Sequence, residues 1–338
     1  MSLDKKITVT VCIPTYNQAE FLQESIESIL AQTYPVDEIV ISDDASTDGT
    51  EAICREFAKK IPHLRYYRQP KNLGIGGNVE FVMRQATSTY VARVDSDDRI
   101  LPRYLECMVE GLEKFPEASC AHGDVLQIDE KGAPLTGKTL YRRPGFQAAR
   151  NALLGSPWGY RVAANVLVFR RSALENMVSL AGFHYGEDYF LFVDLARKGY
   201  GNVYVAETLA ETRLWSDSKG VRAKRFEQLL YGLIRIFNEQ IEPGFREAGW
   251  PLEMVKRGRQ AHALSHCVIM DSNQATPEEK KKFEKLLFEL GDSIRLRILM
   301  VMFQLHLGFL IHGYKYLSTV IRKVVKNCLK ALRFNPPD

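Results

Sequence analysis

Tyr90-Val91-Ala92-Arg93-Val94-Asp95-Ser96-Asp97-Asp98-Arg99 is an apolar run that breaks into a cluster of carboxylates. Its first five residues read as a buried strand, and three acids follow within four positions. Carboxylates at that density repel one another and are costly to desolvate unless positive charge sits among them. A divalent cation carrying a phosphorylated ligand meets the need, because hard cations take carboxylate oxygens and bridge to phosphate. A solvated acidic turn is the other reading that the stretch alone allows.

Upstream of this stretch, short apolar runs at 7–13, 38–42 and 64–67 read as strands. Between them, 20–32, 48–60 and 76–86 carry apolar residues at helical spacing. Strands alternating with helices in this way indicate parallel βαβ units covered on both faces. Ligands of such sheets bind beyond the carboxyl ends of the strands. Three of the most polar segments, 14–18, 42–48 and 95–99, fall at those ends. After Pro102 the pattern changes: a helix to about 115, a strand over 119–128, a Gly/Pro/basic loop over 131–145 and a strand at 165–169. A helix over 188–198 and one or two strands over 201–213 follow, and the chain reads as helical from about 219. Thr276-Pro277-Glu278-Glu279 is a capped helix start, with Thr at N-cap and Glu at N3.

At 338 residues, 46% hydrophobic and 25% charged, the chain has the composition of a globular protein with a full core. Six cysteines lack any Cys-x-x-Cys pair and several lie in apolar runs. Buried free thiols in a reducing compartment are therefore expected, not disulfides or zinc. The first residues are polar and lead straight into a strand, unlike a signal peptide.

The net charge of +4 conceals an asymmetry: from Arg295 onward eight Lys/Arg face one acid, so the tail is +7 and the preceding 294 residues are −3. An acidic body argues against nucleic acid as the partner, and the basic tail points to an anionic surface. The apolar stretch 298–311 is too short to span a bilayer of ~30 Å. The basic amphipathic segment after it suits a membrane interface, a second copy of the chain, or packing on the chain's own body.

The strand ends offer binding chemistry. Pro14-Thr15-Tyr16-Asn17 brings a hydroxyl, an aromatic plane and an amide. Asp43 can accept from a base N–H while Tyr16 stacks on the ring, and Asp48 suits a helix cap. Asn72-Leu73-Gly74-Ile75-Gly76-Gly77-Asn78 is a glycine-rich helix entry that lets backbone approach a ligand. It is not the dinucleotide fingerprint, and the phosphate-binding GxxxxGK[ST] loop is absent.

PTYNQAEFLQESIESILAQT (14–33), EIVISDDASTDGT (38–50), NLGIGGNVE (72–80) and YVARVDSDDR (90–99) together resemble the inverting family 2 glycosyltransferases of the GT-A fold, over roughly residues 5–215. The resemblance implies an α/β fold with a mostly parallel central sheet, a catalytic domain over 1–218 and a helical region over 219–338 ending in the basic tail. Within the catalytic domain it implies a nucleotide-binding half at 1–100 and an acceptor-binding half at 101–218. By the same likeness, Asp95 and Asp97 hold Mg²⁺ or Mn²⁺ against the donor diphosphate, with Ser96 between them and Asp98 alongside. Pro14, Thr15, Tyr16, Asn17 and Asp43 hold the nucleoside, with Gly76 and Asn78 near the donor. In Gly186-Glu187-Asp188, Asp188 resembles the catalytic base, expected to stay ionised under its helix dipole. Glu187, Trp158 and Trp215 face the acceptor.

Two positions depart from the family pattern. Arg213-Leu214-Trp215 stands where many relatives have Arg-x-His, which leaves Arg213 near the phosphates and no His. Gly76-Gly77-Asn78 replaces Ala-Arg-Asn. The expectation is a metal-dependent inverting transferase of surface-polysaccharide synthesis, cytoplasmic and peripheral at the inner membrane face, acting on a glycan or lipid-linked acceptor. A UDP- or dTDP-sugar is preferred, since Asp43 can pair with a pyrimidine N3–H; guanine N1–H also satisfies it. The alternatives are a nucleotidyltransferase making nucleotide-sugars and a non-catalytic binding protein of the same fold.

Overall fold

The computed structural model describes residues 7–138, 143–159, 166–214, 221–271, 275–305 and 307. Its first hundred residues alternate strand and helix: β1 (Val9–Thr15), α1 (Ala19–Leu30), β2 (Glu38–Asp43), α2 (Thr50–Lys60), β3 (Leu64–Arg68), α3 (Gly74–Arg84) and β4 (Tyr90–Arg93). The helices form where apolar residues recur every three or four positions; α1 buries Phe21, Leu22, Ile26 and Ile29 against the sheet. Burial of each such side chain contributes about 1.5–3 kcal/mol.

β5 (Arg99–Ile100), α4 (Tyr104–Lys114), β6 (Ala118–Ile128), β7 (Pro134–Lys138), β8 (Gly145–Gln147), α5 (Ala149–Gly155), β9 (Leu167–Arg170), α6 (Arg171–Leu174), α7 (Glu187–Arg197) and β10 (Gly201–Arg213) follow. The strands share one sheet in the order β3-β2-β1-β4-β9-β6-β10-β5, with β7 on β6 and β8 on β10. β3, β2, β1 and β4 run parallel, as the sequence pattern requires. Beyond β4 the sheet is mixed and not mostly parallel: β9 is antiparallel to both β4 and β6, although β6 and β10 pair in parallel. The helix-crossover rhythm that forces parallel pairing stops at β4.

β1 has β2 on one side and β4 on the other, so the strand order reverses there and a crevice opens at the carboxyl ends. In register, Thr15 faces Asp43, and Cys12 faces Arg93 one step below the acidic turn.

By its internal packing the chain divides into two units, one ending at Arg259 and the other beginning at Gln260. The first also includes α8 (Val221–Arg235), a π-helical stretch (Ile236–Ile241) and α9 (Glu242–Glu247). α8 approaches the segment before α7 so closely that a Cβ at Gly232 would stand 2.3 Å from the Tyr185 carbonyl oxygen. α10 (Glu253–His266) crosses the division, and the second unit holds α11 (Pro277–Gly291) and α12 (Ile294–Gln304). The Thr276–Glu279 capping box is formed. Cys12, Cys54, Cys107, Cys120 and Cys267 are buried free thiols. Among the described residues no helix is long and apolar enough to cross a membrane. The basic tail beyond 307 lies outside the described residues.

Gly76 is a packing glycine. Its N–H donates to the Phe183 carbonyl, and a Cβ there would sit 2.0 Å from the Leu180 oxygen. Gly76→Ala is expected to cost about 1–3 kcal/mol through forced displacement of α3. Gly155→Ala, with nothing within 4 Å of the new Cβ, should leave stability equal or higher by about 0.5 kcal/mol. Urea denaturation of both variants checks the contrast.

Candidate active site

The loops after β1 and β2 interlock. Asn17, held at φ +52°, donates its backbone N–H to Ser46 Oγ, and its side-chain oxygen accepts from Thr47 N at 2.8 Å. Asp43 is fully buried; Oδ1 accepts from Ser46 N and Oδ2 from Tyr66 OH, both at 2.9 Å. Asp44 accepts from the N–H groups of Leu73 and Gly74, so the first free donors of α3 are already satisfied. Asn78 is buried and ties β1 to β2: its Nδ2 donates to the carbonyls of Ser42 and Thr15, and its Oδ1 accepts from Ser42 Oγ. Asp48 serves two helix starts, accepting from Ala19 N and from Thr50.

These contacts leave two groups facing elsewhere. Tyr16 is half exposed, and Thr15 Oγ1 is buried with no hydrogen-bond partner. A buried hydroxyl without a partner is costly, and at the end of β1 it marks a place where a ligand group fits.

The acidic turn lies beside these loops. Arg93, the last residue of β4, is buried among carboxylates. Its Nε donates to Asp95 Oδ1 at 2.9 Å and its Nη2 to Asp95 Oδ2 at 3.4 Å. The same Nη2 reaches Glu187 Oε1 at 2.9 Å, ninety-four residues away in sequence. Burial works against its charge, and Asp95, Glu187 and Asp188 outweigh that effect. Ser96 is buried in the turn, while Asp97 is partly exposed. Asp98 is buried and accepts from the backbone N–H of Arg213 at 2.9 Å.

Arg213 is committed to holding this turn. Its guanidinium donates to the carbonyls of Asp97, Asp129 and Glu130 and to Glu24 Oε2, and lies 4.4 Å from the Phe21 ring centroid. Glu24 also pairs with Arg99, which in turn meets Glu211 at 2.7 Å.

Glu187 and Asp188 open α7 behind Gly186, whose φ of +82° suits glycine. Burial, with Glu187 next to it, pushes the Asp188 carboxyl up to about 7, while Arg93 opposes the shift. The expected helix-dipole stabilisation is therefore outweighed. Burial likewise lifts Asp95 to about 6 against the pull of Arg93, with Asp97 and Glu187 adding to the rise. Asp98 is pushed well above the carboxylate range by burial and by Asp97 and Asp95. The site thus carries more negative charge than its two guanidiniums offset.

Among the described residues no group of three or more His, Cys, Asp or Glu side chains is arranged to hold a metal alone. Two carboxylates completed by substrate phosphates are the usual arrangement for Mg²⁺, however, and hard oxygen donors suit it. Asp97 and Asp95 are two such oxygen donors, and both Asp95 oxygens also accept from Arg93.

Trp158 is 44% exposed in a short 3₁₀ turn (Ser156–Trp158), which Tyr189, the residue after Asp188, anchors by donating its OH to the Ser156 carbonyl. Trp215 lies outside the described residues. The sequence reading assigned no role to Arg93, Glu24, Asp44 or Tyr66. For Arg93 the signal was present: a charged residue inside an apolar strand, two positions before Asp95 and so on the same face.

Residues 10–177, about half of the chain, match the model of Glycosyl transferase family 2. The chain belongs to that family. It is 29% identical over 236 residues to the putative glycosyltransferase EpsE of Bacillus subtilis (strain 168), covering 68% of this chain and 80% of EpsE. It is 27% identical over 218 residues to the putative teichuronic acid biosynthesis glycosyltransferase TuaG of the same strain, covering 63% of this chain and 81% of TuaG. Among solved structures, S. aureus TarS 1–349 in complex with UDP-GlcNAc superposes with a TM-score of 0.60 at 15% identity, over 84% of this chain and 80% of that one. The mannosyltransferase PcManGT of Pyrobaculum calidifontis, in complex with GDP-Man and Mn²⁺, gives 0.54 at 19% identity over 91% and 87%. Both show a shared fold. This family 2 member is a sugar-transferring enzyme related to bacterial polysaccharide glycosyltransferases.

The raised Asp188 makes a prediction about stability. Its folded value near 7 exceeds an unfolded value of 3.8, so its contribution is full below about pH 4 and is lost as pH rises through 7. Asp188→Asn lacks that penalty. Relative to the parent it should gain on the order of 1–4 kcal/mol between pH 4 and pH 8, read by urea denaturation at both pH values.

Proposed function

We propose that the chain is a metal-dependent inverting glycosyltransferase of the GT-A fold. It moves a sugar from a nucleotide-diphospho-sugar to a hydroxyl of a glycan or lipid-linked acceptor in surface-polysaccharide synthesis. The observation that carries this reading is the convergence on Arg93 of Asp95, from the acidic turn, and Glu187, from the start of α7.

In this reading Pro14, Thr15, Tyr16 and Asn17 form the nucleoside side, with Tyr16 offering a stacking face and Thr15 Oγ1 a polar contact. Asp43 accepts from a base N–H if Tyr66 gives way, which keeps UDP and dTDP ahead of GDP. Gly76, Asn78 and Arg213 support the donor loops by shape, given the partners they already hold. Asp97 and Asp95 would hold Mg²⁺ or Mn²⁺, which when bound offsets the charge on the departing diphosphate. Asp188 takes the proton of the acceptor hydroxyl. The hydroxyl oxygen attacks the anomeric carbon from the face opposite the diphosphate, that C–O bond breaks, and the anomeric centre inverts. Glu187 and Trp158, with Trp215, line the acceptor side. Residues 1–218 are read as the catalytic domain, with nucleotide and acceptor halves meeting near 100, and 219–338 as a helical region.

Calorimetry with UDP, dTDP and GDP, each with and without Mn²⁺, tests the donor side. One nucleotide should bind in a Mn²⁺-dependent manner, and Asp97→Asn should abolish the dependence; binding indifferent to the metal sinks the mechanism. Asp188→Asn should keep nucleotide affinity and lose about 10²–10⁴-fold in turnover. Because the base must be ionised, kcat/KM of the parent should rise with pH through a midpoint near 7.

The same reading places the enzyme at the inner face of the membrane. α12 and its C-cap expose Ile294, Ile298, Val301 and Leu305 along one side, next to Arg295 and Arg297, and the sequence after it is basic. Apolar residues beside cationic ones suit an anionic lipid interface. The protein should co-sediment with phosphatidylglycerol vesicles, less so in high salt. Ile298→Glu with Val301→Glu should weaken that by about tenfold or more; unchanged binding removes α12 from the contact.

A further inference from the structure

Arg93 ends a strand whose other residues are apolar or aromatic, and it is 4% exposed. Its position is set by β1 on one side, where it faces Cys12, and by β9 on the other, where it faces Leu167. Its fork meets both oxygens of Asp95 and one oxygen of Glu187, and so links the acidic turn after β4 to the start of α7.

We propose that Arg93 is a positioning residue of the transfer site: its guanidinium fixes the Asp95 and Glu187 carboxylates relative to each other and thereby sets where Asp188 stands against the donor. This rests on the reading of Asp188 as the base. The groups that face Asp188 are Glu187 on its own helix, Arg93 and Asp95 from the end of β4, and Tyr185 from the segment before α7. Arg93 is the cation among them, and it favours the ionised form.

A lysine keeps the charge but cannot bridge three oxygens with a planar fork, whereas a methionine removes both charge and fork. Arg93→Lys, Arg93→Met and Asp188→Asn are therefore compared in the full chain, with folding followed by circular dichroism. Binding is followed by calorimetry of the Mn²⁺-bound nucleoside diphosphate selected from UDP, dTDP and GDP, and turnover with the corresponding donor. Arg93→Lys should fold and bind the diphosphate within about threefold of the parent, yet lose about 10–100-fold in kcat, the cost of misplacing a reacting group by about 1 Å. Its acid limb should stay near the parent's, while that of Arg93→Met should move up by about one unit or more.

A folded Arg93→Lys with parental kcat overturns the proposal, as does a variant that loses thermal stability but not turnover. If Arg93→Met does not fold, Arg93→Lys decides alone. Full turnover in Asp188→Asn would instead strike the base assignment. An inactive Asp188→Asn beside an unimpaired Arg93→Lys would strike Arg93 only.

Discussion

Buried negative charge must be balanced, and that constraint organises the site. Burial and the neighbouring carboxylates, Asp97 and Glu187 among them, raise the proton affinity of Asp95, Asp98 and Asp188. Two arginines hold them, and both are the last residues of strands: Arg93 ends β4 and Arg213 ends β10. A strand end is fixed by ladder register to a fraction of a residue step. The sheet therefore places the two cations, the cations place the carboxylates, and the loops between them have little freedom left.

Arg213 shows how completely such a cation can be used. With carbonyls of two turns, Glu24 and the face of Phe21 around it, the guanidinium ties α1, the acidic turn and the β6–β7 connection into one block. The first half of the sheet uses carboxylates for the opposite purpose. Asp43, Asp44 and Asp48 each accept from backbone N–H groups at a turn or helix entry, which shapes the loops without cations. Acids on one side of the crevice are saturated by backbone donors, and those on the other remain under strain. A cation would relieve the carboxylates on the strained side.

Much of this was legible in the sequence. The period-two and period-3.6 patterns located every strand and helix as far as β4, since a strand buried on both faces and an amphipathic helix leave opposite signatures. The placement of 14–18, 42–48 and 95–99 at one edge followed from parallel pairing. What lay beyond local pattern was non-local: β9 inserted antiparallel between β4 and β6, and Arg93 joined to Glu187. Gly76 and Asn78 looked like ligand contacts because glycine and amide side chains serve close approach and hydrogen bonding equally well inside a protein. Only the neighbours, Leu180 and Phe183 for one and Ser42 and Thr15 for the other, decide which.

Asp188 illustrates why residue position alone misjudges acidity. A helix N-terminus favours a carboxylate by about 0.3–1 kcal/mol when exposed. Each unit of upward shift corresponds to about 1.4 kcal/mol in the other direction, and burial beside Glu187 supplies several. The outcome is a carboxyl whose proton affinity sits near neutrality, where a base is both ionised enough to act and basic enough to take a hydroxyl proton. Arg93 and the Tyr189 backbone N–H hold the shift back. Without the cation at that strand end, the same burial would favour the protonated form further.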